Sequence, residues 1–400
     1  MNPFSASADT AGVGLARATA FCLGLHHYIL PFPGIPLHSE NRFMANSNTN
    51  RTVRLLRVIM PIVGVICVVV FPPWDGIWAW ITPVPDTVQE QVNDAIGHGL
   101  DGIVVYVDEA GEPPAFYKAG WKDRANKIPA DPQSFFKIAS ISKLYVAVAT
   151  TKLAIDQSLS LDDTLADHFP ELVGRIENAE EITLKLMVQH RSGIPNYSDQ
   201  PDFRWDNPPK NSEESLELVL DMPADFEPDE DYRYSNTNYL LIREILNKVL
   251  GYSHFQYIRE EILIPLELNN TYGSLNEVDI DDVMSGYYVG WEPDLKHTDF
   301  GMMATAEDVG IFLRALNDGS LLNDNEQAIY SSIYEYEHTG LLPGYYSIAR
   351  YHKDIDTVVV QFVNTIGGTP MVPLFDTGGG TKVMVSNVVY NRIVRILRKR

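Results

Sequence analysis

The stretch Phe135-Phe-Lys-Ile-Ala-Ser-Ile-Ser-Lys-Leu-Tyr-Val-Ala-Val-Ala149 decides the fold. It is mostly apolar, contains neither Gly nor Pro, and predicts a buried helix with Ser140 in its first turn. Residues three apart share a helix face, so Lys143 is expected beside the Ser140 hydroxyl, where its ammonium lowers the cost of forming an alkoxide. The unpaired N–H groups and positive dipole end of the helix also favour negative charge near Ser140. Taken alone, the string is better explained by an N-capping serine followed by a solvated lysine.

Two other strings change that weighing. Tyr234-Ser-Asn236 lies in the polar, aromatic loop Tyr232-Arg-Tyr-Ser-Asn-Thr-Asn-Tyr239, which runs into an apolar helix at residues 240–246. A tyrosine beside a buried ammonium has its ionised form favoured, so Tyr234 is expected to accept the Ser140 proton and pass it to a leaving group. Asn236 can donate to a substrate carbonyl and accept from Lys143. His338-Thr-Gly340 precedes two strand-like runs, residues 344–351 and 357–363, and predicts an edge strand. Gly340 is expected to let a substrate backbone approach closely, and the Leu341 N–H to pair with that of Ser140 as an oxyanion hole. His338 then supplies a donor or a charge at the far side of the site.

The three strings, in this order, resemble those of the penicillin-recognising serine hydrolases, the superfamily of serine beta-lactamases and DD-peptidases, and within it the class C beta-lactamase and DD-carboxypeptidase branch. Gln189-His-Arg-Ser-Gly-Ile-Pro195, Ser160-Leu-Asp-Asp163 and Gly301-Met-Met-Ala-Thr-Ala-Glu-Asp308 are similar to further family segments, and the resemblance covers roughly residues 101–365. It implies that Ser140 is the nucleophile, that Lys143 and Tyr234 share its proton, that Asn236 binds the substrate amide, and that His338, Thr339, Gly340 and Leu341 form the far side. It implies an acyl-enzyme, and neither a metal nor an organic cofactor. Two positions depart from the pattern. His338 stands where some relatives carry a lysine with its permanent charge, and since histidine titrates near neutrality, turnover of anionic substrates is expected to fall as His338 loses its proton. Leu341 stands where many relatives have Ser or Thr to grip a substrate carboxylate, which favours an ester or an unusual amide.

The remaining sequence predicts an α/β (α+β) fold: an antiparallel sheet built from both ends of the catalytic region, flanked by helices, with a helical lobe at about 159–317 inserted between. Expected strands lie at 103–107 and 115–121, and expected helices at 89–96, 184–189, 214–220, 239–249 and 306–316, with a last one around 388–397. A net charge of −22 over 400 residues excludes nucleic acid as a partner, since no basic stripe offsets it. The cations concentrate at the ends, so the body between them is more acidic than the whole.

Arg51, Arg54 and Arg57 precede the uncharged run 58–71, and Trp74, Trp78 and Trp80 follow it. Residues 55–81 therefore read as an uncleaved transmembrane signal anchor, with 82–86 as linker and 87–400 as the hydrolase domain on the periplasmic or extracellular side. Residues 1–54 read as a cytoplasmic leader or as the product of a mis-assigned start upstream of Met44. Cys22 and Cys67 both precede the catalytic region, which therefore holds no thiol. Arg392, Arg395, Arg398, Lys399 and Arg400 could meet anionic lipid, but a core helix with solvated basic tips is the better reading. The function expected is a membrane-anchored serine hydrolase acting on D-Ala-D-Ala-like peptides, beta-lactams or small esters. The alternative is a non-catalytic envelope protein that binds peptide or glycan in the same cleft.

Overall fold

The computed structural model describes residues 47–70, 74–205, 207–368 and 380–400. The chain forms two units, Met1–Ile66 and Cys67–Arg400. The described residues of the first belong to one helix, α1 (Ser47–Val70), which contains Pro61. Its apolar side chains Leu55, Leu56, Val58, Met60, Ile62 and Val65 are exposed. Among the described residues no helix is long and apolar enough to cross a membrane. Most of the expected leader, including Met44 and Cys22, lies outside the described residues.

Where the sequence predicts one anchor over 55–81, the structure ends α1 at Val70 and forms a separate helix, α2 (Trp74–Ile81), with Gly76 and Ala79 buried. Three contacts tie α2 to the far end of the chain. Gly76 faces Met384, where a Cβ would lie 2.7 Å from the sulfur; Asp75 pairs with Lys382 at 2.8 Å; and the Arg392 guanidinium donates to the carbonyl of Ala79. The C-terminal cations are largely committed to the protein itself. Arg392 is buried, Arg398 pairs with Asp354 and Arg400 with Glu109.

After α3 (Val88–Gly97) come the strands β1 (Gly102–Glu109), β2 (Ala115–Asp123) and β3 (Ile128–Pro129). The nucleophile helix α4 (Ser142–Ile155), the lobe helix α5 (Asn236–Leu250) and α6 (Ala306–Asp318) follow. The chain then returns as β4 (His338–Leu342), β5 (Tyr345–His352) and β6 (Thr357–Val363), and closes with α7 (Gly380–Leu397). The six strands make one sheet in the order β3-β2-β1-β6-β5-β4. β1 and β6, drawn from opposite ends of the domain, pair antiparallel from Ile103–Val363 to Glu109–Thr357.

A strand sends alternate side chains to opposite faces, and an apolar run with no polar alternation must be covered on both. Val104 and Tyr106 of β1 join a core shared with α4, α5 and α6. Ile103, Val105 and Val107 join a second core with Val92 of α3 and Val389 and Ile393 of α7. This two-sided burial fixes β1 and β6 at the centre and leaves β4 at the edge, where Leu341 lines a cleft shared with Asn236 of α5. The expected helix at 214–220 is shorter and earlier, Ser212–Leu216. A helix over Asp324–Ile333, which the sequence reading does not include, packs against α4.

Candidate active site

Ser140 lies just ahead of the expected helix, in a tight 3-10 turn, Ala139–Ile141, that leads directly into α4. Ala139 holds φ at +53°, a left-handed conformation that costs a side-chain-bearing residue about 1–3 kcal/mol. Gly340 of β4 makes room for this turn. A Cβ there would lie 2.3 Å from the Ile138 carbonyl oxygen and 2.3 Å from Ser347 Oγ. The glycine thus admits the nucleophile's own backbone turn, a close approach the sequence does not announce.

The three strings converge. Ser140 Oγ lies 2.5 Å from Tyr234 Oη and accepts from Lys143 Nζ at 3.2 Å. Lys143 also donates to Asn236 Oδ1 at 2.9 Å, and its ammonium sits 5.0 Å from the Tyr234 ring centroid. Asn236, first residue of α5, donates through Nδ2 to Ser198 Oγ at 3.0 Å, and its backbone N–H donates to Asn196 Oδ1 at 2.9 Å. Ser198 closes the ring by donating to the same Asn196 oxygen at 3.2 Å. Asn196 and Ser198 were not singled out from the sequence; their place directly after Pro195 of the Gln189–Pro195 stretch was the available signal. His190 of that stretch accepts from the Ser235 N–H at 3.2 Å and lies 4.5 Å, ring to ring, from Tyr234. It therefore props the Tyr234 loop.

Electrostatics divides these groups differently from the sequence expectation. Burial, helped by the Arg243 guanidinium, brings Lys143 down to about 7, so its free amine is available near neutral pH. Tyr234 is pushed well upward by burial, against the smaller opposing effect of its bond to Ser140. The phenol therefore keeps its proton, and the amine rather than a phenolate is the resting base. His338 is lowered to about 4 by burial and by the Lys143 charge. Its Nδ1 lies 2.5 Å from the Thr339 carbonyl oxygen, which requires a proton on that nitrogen and leaves Nε2 as an acceptor. The ring, stacked on Tyr334 at 6.0 Å, is thus a neutral imidazole across the neutral range, and the expected loss of charge near pH 6–7 does not occur.

The cleft beside Ser140 is lined by Lys143, Asn236 and Leu341, and by an aromatic wall from two loops. Tyr197 and Phe203 stand 5.6 Å apart, Phe203 and Trp205 4.9 Å, and Trp205 and Phe300 6.0 Å. Buried Lys137 holds the second loop by donating to the carbonyls of Leu295, Lys296 and Thr298 at 2.6, 2.8 and 2.6 Å. Among the described residues no cluster of three or more His, Cys, Asp or Glu side chains is placed to hold a metal ion. The arrangement can make a serine oxygen nucleophilic, take its proton and accommodate an apolar group.

Comparison with known proteins agrees with that chemistry. Residues 84–332 match the beta-lactamase family. The chain is 28% identical over 189 residues to Protein flp of Staphylococcus aureus (strain MW2), a match covering 46% of this chain and 38% of that protein. It is 26% identical over 177 residues to penicillin-binding protein 4* of Bacillus subtilis (strain 168), covering 44% of this chain and 38% of the relative. The matches thus span well under half the length of these curated relatives. The fold is shared with D-amino acid amidase from Ochrobactrum anthropi SV3 complexed with L-phenylalanine, at a TM-score of 0.67 and 20% identity, over 78% of this chain and 98% of that one.

Proposed function

Since the chain belongs to the beta-lactamase family and is a serine hydrolase of the beta-lactamase and penicillin-binding type, we propose that it hydrolyses small esters or amides through an acyl-enzyme on Ser140. The observation that carries this reading is the single oxygen, Ser140 Oγ, within 2.5 Å of Tyr234 Oη and 3.2 Å of Lys143 Nζ. The Lys143 amine takes the Ser140 proton as the oxygen attacks the substrate carbonyl, and the ammonium formed stabilises the developing negative charge. Tyr234, bonded to the same oxygen, lies where it can relay that proton to the departing amine or alkoxide. Water then attacks the ester intermediate and releases the acid.

On the side of β4, a neutral His338 and Leu341 offer no fixed positive charge and no hydroxyl at position 341. This favours a leaving group without a carboxylate, an ester or simple amide, over D-Ala-D-Ala peptides and beta-lactams. The name of D-amino acid amidase, whose fold is shared, supports an amide of that kind. We also propose that α1 attaches the enzyme to a membrane with the catalytic domain outside. The three arginines ahead of an uncharged run and its exposed apolar side chains support this, and membrane fractionation of the full chain against one lacking residues 1–73 tests it.

A fluorescent fluorophosphonate tests the chemistry. Labelling of the full chain that disappears in Ser140→Ala is expected. Folded wild-type protein that takes no label, and turns over none of a panel of nitrophenyl esters, D-amino acid amides and nitrocefin, overturns the reading in favour of a binding protein.

A further inference from the structure

α5 brings a second functional group to the cleft. Asn236, Tyr239 and Arg243 are spaced by three and four residues and so share one helix face, and all three line the cleft with Ser140. Asn236 touches the catalytic lysine. Seven residues on, about two helical turns or ~10 Å along the axis, the same face presents a guanidinium. It is close enough to Lys143, Tyr197 and His254 to act on their charge states.

Arg243 has no carboxylate partner among the described residues, although acids outnumber bases 53 to 31 in this chain. Most of the other arginines are spent on ion pairs, such as Arg175 with Asp221, Arg191 with Asp229 and Arg259 with Glu277. The acid nearest to hand along the cleft is Asp299, and its oxygens are already taken. They accept from Ser274 Oγ at 2.8 Å, the Leu275 N–H at 3.3 Å and the Gly301 N–H at 2.9 Å. The neighbouring acid on α5, Glu244, accepts from Ser212 and Asn247 instead. The cleft that Ser140 and Arg243 both line also has Val146, Tyr197, Phe203 and Trp205 in its walls, which offer apolar surface to a chain or ring beside the polar side chains of Ser142, Ser198 and Asn236. A guanidinium that meets no carboxylate among the described residues, in a cleft it shares with a nucleophile and an aromatic wall, forms one half of an ion pair whose other half is brought by the ligand.

We propose that Arg243 is the specificity-determining residue of the cleft, and that the preferred substrate is an ester or amide whose acyl group is an apolar stem ending in a carboxylate. This rests on the acyl-enzyme reading above and names its substrate class. The polarity is the reverse of a site that holds a carboxylate on the leaving group: the fixed cation stands along α5, and the uncharged His338 and Leu341 stand along β4.

The test compares two esters of equal chain length on the full chain, mono-4-nitrophenyl adipate and 4-nitrophenyl hexanoate. Rates are corrected for enzyme-free hydrolysis, and active sites are counted by fluorophosphonate titration. For a charge-assisted pair the adipate ester is expected to be favoured in kcat/KM by about tenfold or more, with most of the difference in KM. Arg243→Gln is expected to bring that ratio near unity, and Arg243→Lys to restore part of it. Removing Arg243 also releases Lys143 from a neighbouring charge and moves the pH profile, but it does so for both esters, so the ratio isolates recognition. A wild-type ratio near unity, a ratio that survives Arg243→Gln, or a preference for a carboxylate on the leaving group instead overturns the proposal. Failure of both esters and of the titration would instead strike the acyl-enzyme reading itself.

Discussion

The two sides of the cleft are built on opposite principles. Around Ser140 the reacting groups are held by hydrogen bonds: Lys143 with Ser140 and Asn236, Asn236 with Ser198 and Asn196, His338 with the Thr339 carbonyl. Toward Arg243 stand Tyr197, Phe203 and Trp205, and the guanidinium has no carboxylate partner among the described residues. A closed hydrogen-bond network in a dry site holds reacting groups in place before substrate arrives, whereas an open cation and apolar walls wait for a ligand to complete them. The first region therefore carries chemistry and the second selection, and substitutions in the two should separate accordingly.

The largest effect is expected at the serine. Ser140→Ala should lower kcat by about a thousandfold or more for every ester, since Ser140 Oγ is the hydroxyl that both Lys143 and Tyr234 contact. A residual rate near wild type would erase the distinction between the two regions. Lys143→Met should follow, with a loss of about 10²–10⁴ in kcat/KM. The pH dependence identifies its role. Lys143 is held near 7, so its amine is protonated and inactive as a base below that pH and free above it. The rate for the neutral hexanoate ester should rise with pH up to about 7 and then level off. His338, lowered to about 4, is already neutral throughout that window, so His338→Gln should leave the inflection where it is. An inflection that moves with His338 and not with Lys143 would reverse the assignment.

Much of this was legible from the sequence because it depends on local spacing. The Ser-x-x-Lys string, the apolar run behind it and the paired strand runs 344–351 and 357–363 specify a buried nucleophile helix and adjacent strands with no knowledge of tertiary contacts. The charge states were not legible, because burial is a property of the assembled fold. The sequence places Tyr234 beside an ammonium that favours its ionised form, yet burial penalises the charge more than the bond to Ser140 offsets it. His338 reads as a neutral-range switch until Tyr334 is found stacked on it and Lys143 nearby. Arg243 lay in plain view within 240–246, but an arginine on a helix is ordinarily solvated or paired. Only the fold shows that no acid among the described residues meets it.

Gly340→Ala probes how tightly the chemical side is assembled. With only 2.3 Å to the Ile138 carbonyl and to Ser347 Oγ, an added methyl must push β4 away from the nucleophile turn. Urea unfolding should show a loss of about 1–3 kcal/mol, the usual penalty for overpacking, together with slower fluorophosphonate labelling. Asn196→Ala removes the acceptor shared by the Asn236 N–H and Ser198, and should cost about tenfold in kcat/KM with little change in unfolding midpoint.

The smallest and most discriminating effect belongs to the selecting side. Trp205 touches none of the reacting atoms; its ring bridges Phe203 and Phe300, so that two separate loops form one apolar surface. Each methylene buried against such a surface contributes about 0.8 kcal/mol, or roughly fourfold in kcat/KM. Across 4-nitrophenyl acetate, butyrate and hexanoate the wild-type rate constant should therefore climb with chain length. Trp205→Ala should flatten that climb, so that its deficit grows from the acetate to the hexanoate while the pH inflection stays that of Lys143. A uniform deficit for all three esters would mean that the aromatic wall supports the nucleophile rather than the substrate, and the two regions would then act as one.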